Sequence, residues 1–253
     1  MKRARWARNA IVGGLFAVLA GCSGPPAAED APTQPAPDSG WTRPPEIVSV
    51  RRTGGSLVFA GAAEPGGRVV LRSAAGAAYA AAADERGRFE IRIAAPTGSL
   101  MLRPETQVGQ GAAASPDRLL ILDGGRGPVA VLRPGGPSRR LDAAPALGAI
   151  DSDGRAAIIS GRSEAPERPV AVSAGGRDVQ ARPGGDGRWS LPVGLAPGAV
   201  VRVDGRDFPW PGPGAAQPGE LQAERLASGW RVGWAGAGGA GQWTWLPTAD
   251  PES

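Results

Sequence analysis

The chain has 253 residues, with no His, one Cys, a single Lys at position 2, 40 Gly and 26 Pro. The missing His excludes Ser-His-Asp and Cys-His nucleophilic sites and His-ligated zinc, and a Lys confined to the extreme N-terminus excludes a Schiff base elsewhere. The formal charge of +4 resides on Lys2, Arg3, Arg5 and Arg8, because the other 24 Arg balance 24 Asp and Glu; without that segment, binding to nucleic acid has no electrostatic footing.

Residues 1–21 read as an export signal. Lys2 to Arg8 form a basic start, and Ile11 to Ala20 form an apolar run too short to span a bilayer as a stable helix. The run closes in Leu19-Ala20-Gly21-Cys22, which resembles the lipobox of bacterial lipoproteins. The resemblance implies cleavage before Cys22, a diacylglycerol thioether on its thiol and acylation of the new amino terminus, palmitate being the type of chain expected. Two or more acyl chains anchor firmly, each buried methylene adding about 0.8 kcal/mol. Ser23 follows the Cys, where in such families a residue other than Asp permits transfer to the outer membrane; which face it occupies stays open. Residues 22–45 are rich in Pro, Ala, Asp and Ser, with little apolar bulk besides Trp41, and the expectation is a disordered, fairly extended tether.

From Glu46 the chain turns into short β-rich runs punctuated by Gly and Pro. Strands are expected at 47–50, 56–59, 68–71, 77–83, 88–93, 99–103, 118–122 and 128–133, with a loop at 109–116. Glu64-Pro65-Gly66-Gly67 carries a type II turn signal, Pro presetting φ at the second position and Gly taking positive φ at the third. A second series follows at 156–160, 168–173, 177–182, 188–193 and 199–204. Residues 220–227 are ambiguous between strand and a turn or two of helix, and Gly229–Leu246 reads as a terminal hairpin.

The two series are copies. Residues 47–93 align without a gap on residues 147–193, and eleven positions are identical: Gly54, Gly61, Glu64, Arg68, Val70, Ser73, Ala74, Gly76, Ala81, Gly87 and Arg88, each with its partner 100 residues on. In both, a Gly-bearing polar turn leads into an aromatic strand, Arg88-Phe89-Glu90-Ile91-Arg92-Ile93 and Arg188-Trp189-Ser190-Leu191-Pro192-Val193, with the apolar residues on one face. The expected architecture is all-β: two tandem antiparallel Ig-like sandwiches at 46–135 and 147–247, a linker at 136–146 and a disordered tail at 248–253.

The run Gly61-Ala62-Ala63-Glu64-Pro65-Gly66-Gly67-Arg68-Val69-Val70-Leu71, followed by Gly87-Arg88-Phe89, resembles bacterial immunoglobulin-like modules of envelope and surface proteins. The second copy keeps Gly161, Glu164 and Gly187-Arg188-Trp189 but has Ala165-Pro166-Glu167 in place of Pro-Gly, a departure that bears on the turn. Such modules are spacers, adhesive units or assembly platforms, and the resemblance implies no catalysis.

Three candidate sites remain. Asp151-Ser152-Asp153-Gly154 opens like a calcium loop but lacks the later oxygen ligands, so a β-turn is preferred and neither metal nor cofactor is expected. A carboxylate pair for hydrolysis is the remote enzymatic alternative, and Asp84-Glu85 speaks against it, being replaced by Gly184-Gly185 in the second copy. Trp230 and Trp234 at i, i+4, and Trp243 and Trp245 at i, i+2, each share a strand face, so the hairpin would gather all four into one slab. Facing solvent, that slab is a candidate binding surface for glycan or peptidoglycan; facing inward, it is the second core, which Val232 on the same face favours. The expected partners are a membrane, through the lipid on Cys22, and an envelope protein or glycan.

Overall fold

In the computed structural model, the described residues are 42–215, 219–236 and 239–248. They form twenty strands and one 3-10 turn at Asp123–Gly125, with no α-helix among them, and every strand pairing is antiparallel. The described residues form an all-β pair of Ig-like sandwiches.

The first sandwich sets a three-stranded sheet against a larger one. The small sheet has the order β1 (Glu46–Thr53), β2 (Ser56–Ala62), β5 (Arg88–Ala94). The larger has the order β10 (Arg139–Arg140), β9 (Val129–Leu132), β8 (Arg118–Ile121), β6 (Leu100–Val108), β3 (Arg68–Arg72), β4 (Ala78–Ala82), with β7 (Gly111–Ala114) also on β6. Phe59, Phe89, Ile91 and Ile93 from one sheet meet Val69, Leu71, Leu102 and Leu119 from the other, all buried. β5 shows the period of two that places them: its burial alternates residue by residue.

The second sandwich reuses the plan. β11 (Leu147–Ser152), β12 (Ala157–Arg162) and β15 (Arg188–Val193) correspond to β1, β2 and β5. Opposite them lie β13 (Val170–Ala174), β14 (Arg177–Ala181), β16 (Val200–Val203) and β17 (Arg206–Pro209). β18 (Leu221–Leu226), β19 (Gly229–Ala235) and β20 (Gly241–Pro247) then extend the first sheet beyond β11, giving β15-β12-β11-β20-β19-β18.

The identical residues of the two copies hold matching geometry. Phe89 pairs Gly61 and Trp189 pairs Gly161 across neighbouring strands. A Cβ at Gly61 would lie 2.1 Å from the Glu46 carbonyl and 2.6 Å from the Phe89 ring; at Gly161 it would lie 2.2 Å from the Ala146 carbonyl and 2.7 Å from Trp189. Only glycine lets the aromatic ring lie over the backbone there. The preceding turns close alike, with Gly87 (φ 74°) donating to the Asp84 carbonyl at 2.9 Å and Gly187 (φ 77°) to the Gly184 carbonyl at 2.8 Å. Both first strands also carry a bulge, between Ile47 and Ser49 and between Leu147 and Ala149.

Several details depart from the sequence reading or decide it, β17 at Arg206–Pro209 being an unexpected strand. The expected loop at 109–116 contains β7, a Gly/Ala strand that forms because β6 offers it an edge. β6 runs on through Pro104, which lies between the stretch paired with β8 and the stretch paired with β7. Segment 136–146 is not a bare linker, since Arg139 and Arg140 pair with β9. The 220–227 stretch resolves as strand. At the altered turn, Arg168 donates to the Ala165 carbonyl at 3.0 Å, so the bend survives one residue later than the Gly67-to-Glu64 bond of the first copy, without a positive-φ residue.

A third core joins the sandwiches. Leu120, Leu122, Ala130 and Leu132, on the face of β8–β9 turned away from the first core, pack with Ala149, Trp230, Val232, Trp234 and Leu246. The described residues accordingly belong to one compact unit.

Candidate functional site

Cys22 lies outside the described residues, as do the other residues of the export signal and the tether up to Trp41, and the tail beyond Thr248. Among the described residues no helix is long and apolar enough to cross a membrane, and no group of three or more His, Cys, Asp or Glu is placed to hold a metal ion.

The four tryptophans do not form one slab. Residues paired directly across an antiparallel hairpin share a face, and here Trp234 pairs Gln242, Val232 pairs Thr244 and Trp230 pairs Leu246. Trp243 and Trp245 pair Gly233 and Arg231, so they project from the opposite face. One pair therefore enters the joint between the sandwiches, while Trp245 enters the second core, where its ring meets Trp210 edge to face at 6.4 Å. Trp243 is covered by the 210–215 loop, with Gly214 against its ring. Relative exposure is 8% for Trp230, 0% for Trp234, 6% for Trp243 and 0% for Trp245, so a solvent-facing stacking platform is absent. The register, which intrastrand spacing does not contain, separates the pairs.

Polar groups seal the edge of this joint. Trp234 Nε1 donates to Thr244 Oγ1 at 3.1 Å, and the Thr244 hydroxyl donates to Asp151 Oδ1 at 2.7 Å. Ser138, just before β10, donates its hydroxyl to Asp151 Oδ1 and its backbone N–H to Oδ2, both at 2.6 Å. The Ser160 hydroxyl donates to the Ser138 carbonyl at 2.9 Å. Burial pushes the Asp151 carboxyl up to about 6, against the three hydrogen bonds that favour its charged form. Arg140 makes a two-pronged contact with Asp142 at 2.8 and 2.6 Å and donates to the Pro247 carbonyl at 2.9 Å, tying β10 to the end of β20.

Asp151 is thus committed to the joint, and the rest of the suspected calcium loop is a turn. Asp153 Oδ1 accepts from the N–H groups of Arg155 and Ala156, both at 2.8 Å, and these bonds hold its carboxyl below the usual range. Asp84 likewise closes its own turn, accepting from the Arg88 and Arg86 N–H groups at 2.8 and 2.9 Å; the Arg88 bond is the chief cause of its lowered pKa.

The arginines that appear scattered along the sequence are partly gathered by the fold. A cleft of about 620 Å³ opens where β1 and β10 of the first sandwich approach β12 and β15 of the second, and Arg133, Arg139, Arg140, Arg162, Arg182 and Arg188 line it. Its acidic residues are Glu46, Asp142 and Glu164, and Arg133 and Arg188 have further partners beyond the lining in Asp117 and Asp186. Arg139 donates to the Ile47 and Val48 carbonyls. Burial first, and then the neighbouring Arg188 and Arg133 charges, lowers its pKa. No local sequence signal announces this cleft, because its arginines come from strands and turns up to 55 residues apart.

No family model matches the chain, and neither does any curated protein. Among solved structures, the central fibronectin-III array of RIM-binding protein is similar at 20% identity, covering 79% of this chain and 75% of that one, with a TM-score of 0.27. The fold assignment rests on the sheets themselves.

Proposed function

We propose that this protein is a non-catalytic envelope lipoprotein, held to the outer membrane by lipid on Cys22, whose paired sandwiches serve as a structural or protein-binding platform. The observation that supports this reading best is the apolar joint, in which Trp230 and Trp234 are spent on fixing one sandwich to the other. Packing of that kind suits a body that presents surface at a defined geometry. Asp84 and Asp153 hold turns and Asp151 holds the joint, which agrees with a non-catalytic role for these three carboxylates. The glycan-binding alternative is not favoured, since its tryptophan surface is buried.

Metabolic labelling with a fatty acid, followed by proximity crosslinking in intact envelopes, tests the proposal. Wild-type chain should take up label and crosslink to an envelope protein, whereas Cys22→Ser should remain unlabelled, because a hydroxyl cannot form the thioether. Label retained in the mutant would refute the anchor. A labelled wild type with no crosslinked protein would refute the platform.

A further inference from the structure

We propose that the arginine-lined cleft is a docking site for an extended acidic peptide segment of a partner protein, laid along β1 with its carboxylates toward the arginines. The inference rests on the platform reading and names the chemistry of the partner.

Charge is the first argument. Arg140 is matched by Asp142, Arg133 by Asp117 at 3.0 Å and Arg188 by Asp186 at 3.0 Å. Arg162 and Arg182, both exposed, make no ion pair among the described residues. Arg139, 14% exposed at its side chain, is held by the Ile47 and Val48 carbonyls and lies 3.8 Å from the exposed Glu46 carboxylate, so Arg162 and Arg182 are the cations left for an incoming carboxylate. Arginine forks hold carboxylates by two parallel hydrogen bonds, which suits this set better than a single point charge would.

The second argument comes from the repeat. In the second sandwich the outer edge of β11 receives β20, with Ile150, Asp151 and Ser152 paired to Trp245, Thr244 and Trp243. The matching residues of the first sandwich are Val50, Arg51 and Arg52, yet β1 ends its sheet with β2 on one side and, among the described residues, no strand on the other. Among the described residues, then, the edge filled at 150–152 is without a strand at 50–52 in the first copy, while Arg139 occupies the Ile47 and Val48 carbonyls beyond it. A strand laid antiparallel on β1, as β20 lies on β11, runs from Arg52 toward Glu46, Val48 and Ser49, which form a wall of the cleft. Strand addition supplies main-chain hydrogen bonds and leaves alternate side chains to confer specificity. Only a polypeptide meets both the edge and the charge. Trp189, the aromatic residue lining the cleft, is 4% exposed and offers no face on which bases could stack.

The full chain, titrated by calorimetry at low salt with hexaglutamate, hexalysine and inorganic phosphate, provides the test. Hexaglutamate should bind, hexalysine should not, and phosphate at matched ionic strength should fail to displace it. Arg162→Ala/Arg182→Ala, at exposed positions that leave the melting temperature unchanged, should bind hexaglutamate at least tenfold more weakly. Hydrogen exchange should show new protection at Val50–Arg52 on binding. Absence of hexaglutamate binding, unchanged affinity in the double variant, displacement by phosphate, or no protection on β1 would each overturn the proposal. If the wild type and double variant crosslink equally to the same envelope protein, the platform stands and the cleft is not its docking site.

Discussion

The two copies of the repeat agree where each builds its own core and differ where each meets the other. The bulge in the first strand, the Gly61–Phe89 and Gly161–Trp189 pairs, and the Asp/Gly turn recur in register. After that common half, the first copy adds β8–β10 to its second sheet, whereas the second adds β18–β20 to its first. The two additions then pack face to face. The shared half specifies a sandwich and the divergent half specifies a joint, so similarity between the copies locates folding and dissimilarity locates assembly.

Cutting the chain between the sandwiches should break that arrangement with the largest effect. A fragment of residues 42–142 would expose Leu120, Leu122 and Leu132, and the remainder would expose Trp230, Val232, Trp234 and Leu246, all now buried. At about 1.5–3 kcal/mol for each large apolar side chain, each half loses on the order of 5–10 kcal/mol, comparable with the whole stability of a domain. Each fragment alone should aggregate or bind a hydrophobic dye, and mixing the two should restore a sharp melt. A 42–142 fragment that melts cooperatively without binding dye would show that the joint is dispensable.

How much of this was legible depended on whether the signal lay along the strand or between strands. β5 and β15 were readable because one face is buried and the other wet, which writes alternation into Phe89-Glu90-Ile91-Arg92-Ile93. Leu119-Leu120-Ile121-Leu122 and Val129-Ala130-Val131-Leu132 are unbroken apolar runs, the mark of strands covered on both faces, and in the structure their outer faces enter the joint. The tryptophan pairs could not be assigned to faces from spacing, because a shift of one residue in hairpin register exchanges the faces. β7 and β10 lack strand-like composition and exist because neighbouring edges accept them. The cleft was invisible for a related reason, since only tertiary structure brings Arg133 near Arg188.

A second way to sharpen the comparison uses pH, because position 51 of the first copy is Arg and position 151 of the second is a joint-forming Asp. The Asp151 carboxyl titrates near 6 when folded and near 3.8 when unfolded. A raised folded pKa means that the native state binds the proton more tightly. Its contribution is therefore fully present below about 3.8 and is lost as pH rises through about 6. That contribution is on the order of 3 kcal/mol. Carboxylates such as Asp84 and Asp153, whose pKa values are lowered, push stability the opposite way, so the difference between two proteins is the useful quantity. Relative to wild type, Asp151→Asn should lack the gain in melting temperature as pH falls from 6.5 to 4. Parallel curves for the two proteins would mean that Asp151 does not feel its burial.

The smallest expected effect separates the two tryptophans of the joint. Trp234 and Trp230 share one face of the hairpin and one apolar cluster, but only Trp234 has its indole N–H bonded, to Thr244, among the described partners. Phenylalanine keeps an aromatic ring and removes that donor. Trp234→Phe leaves the Thr244 hydroxyl without one of its two bonds and loosens the chain through Asp151 to Ser138. Trp230→Phe removes no bond; its losses are ring volume and part of the contact with the Arg225 guanidinium, 5.7 Å from the ring centre. An intramolecular hydrogen bond contributes about 0.5–1.5 kcal/mol net, so Trp234→Phe should be the more destabilising by about 1 kcal/mol in urea unfolding. It should also raise the folded pKa of Asp151 further and widen its difference from the unfolded value, because the Thr244 bond favours the charged carboxyl; Trp230→Phe should leave that difference alone. Equal costs and equal pH profiles would show that the joint is held by apolar packing alone and that the polar chain at its edge contributes nothing measurable.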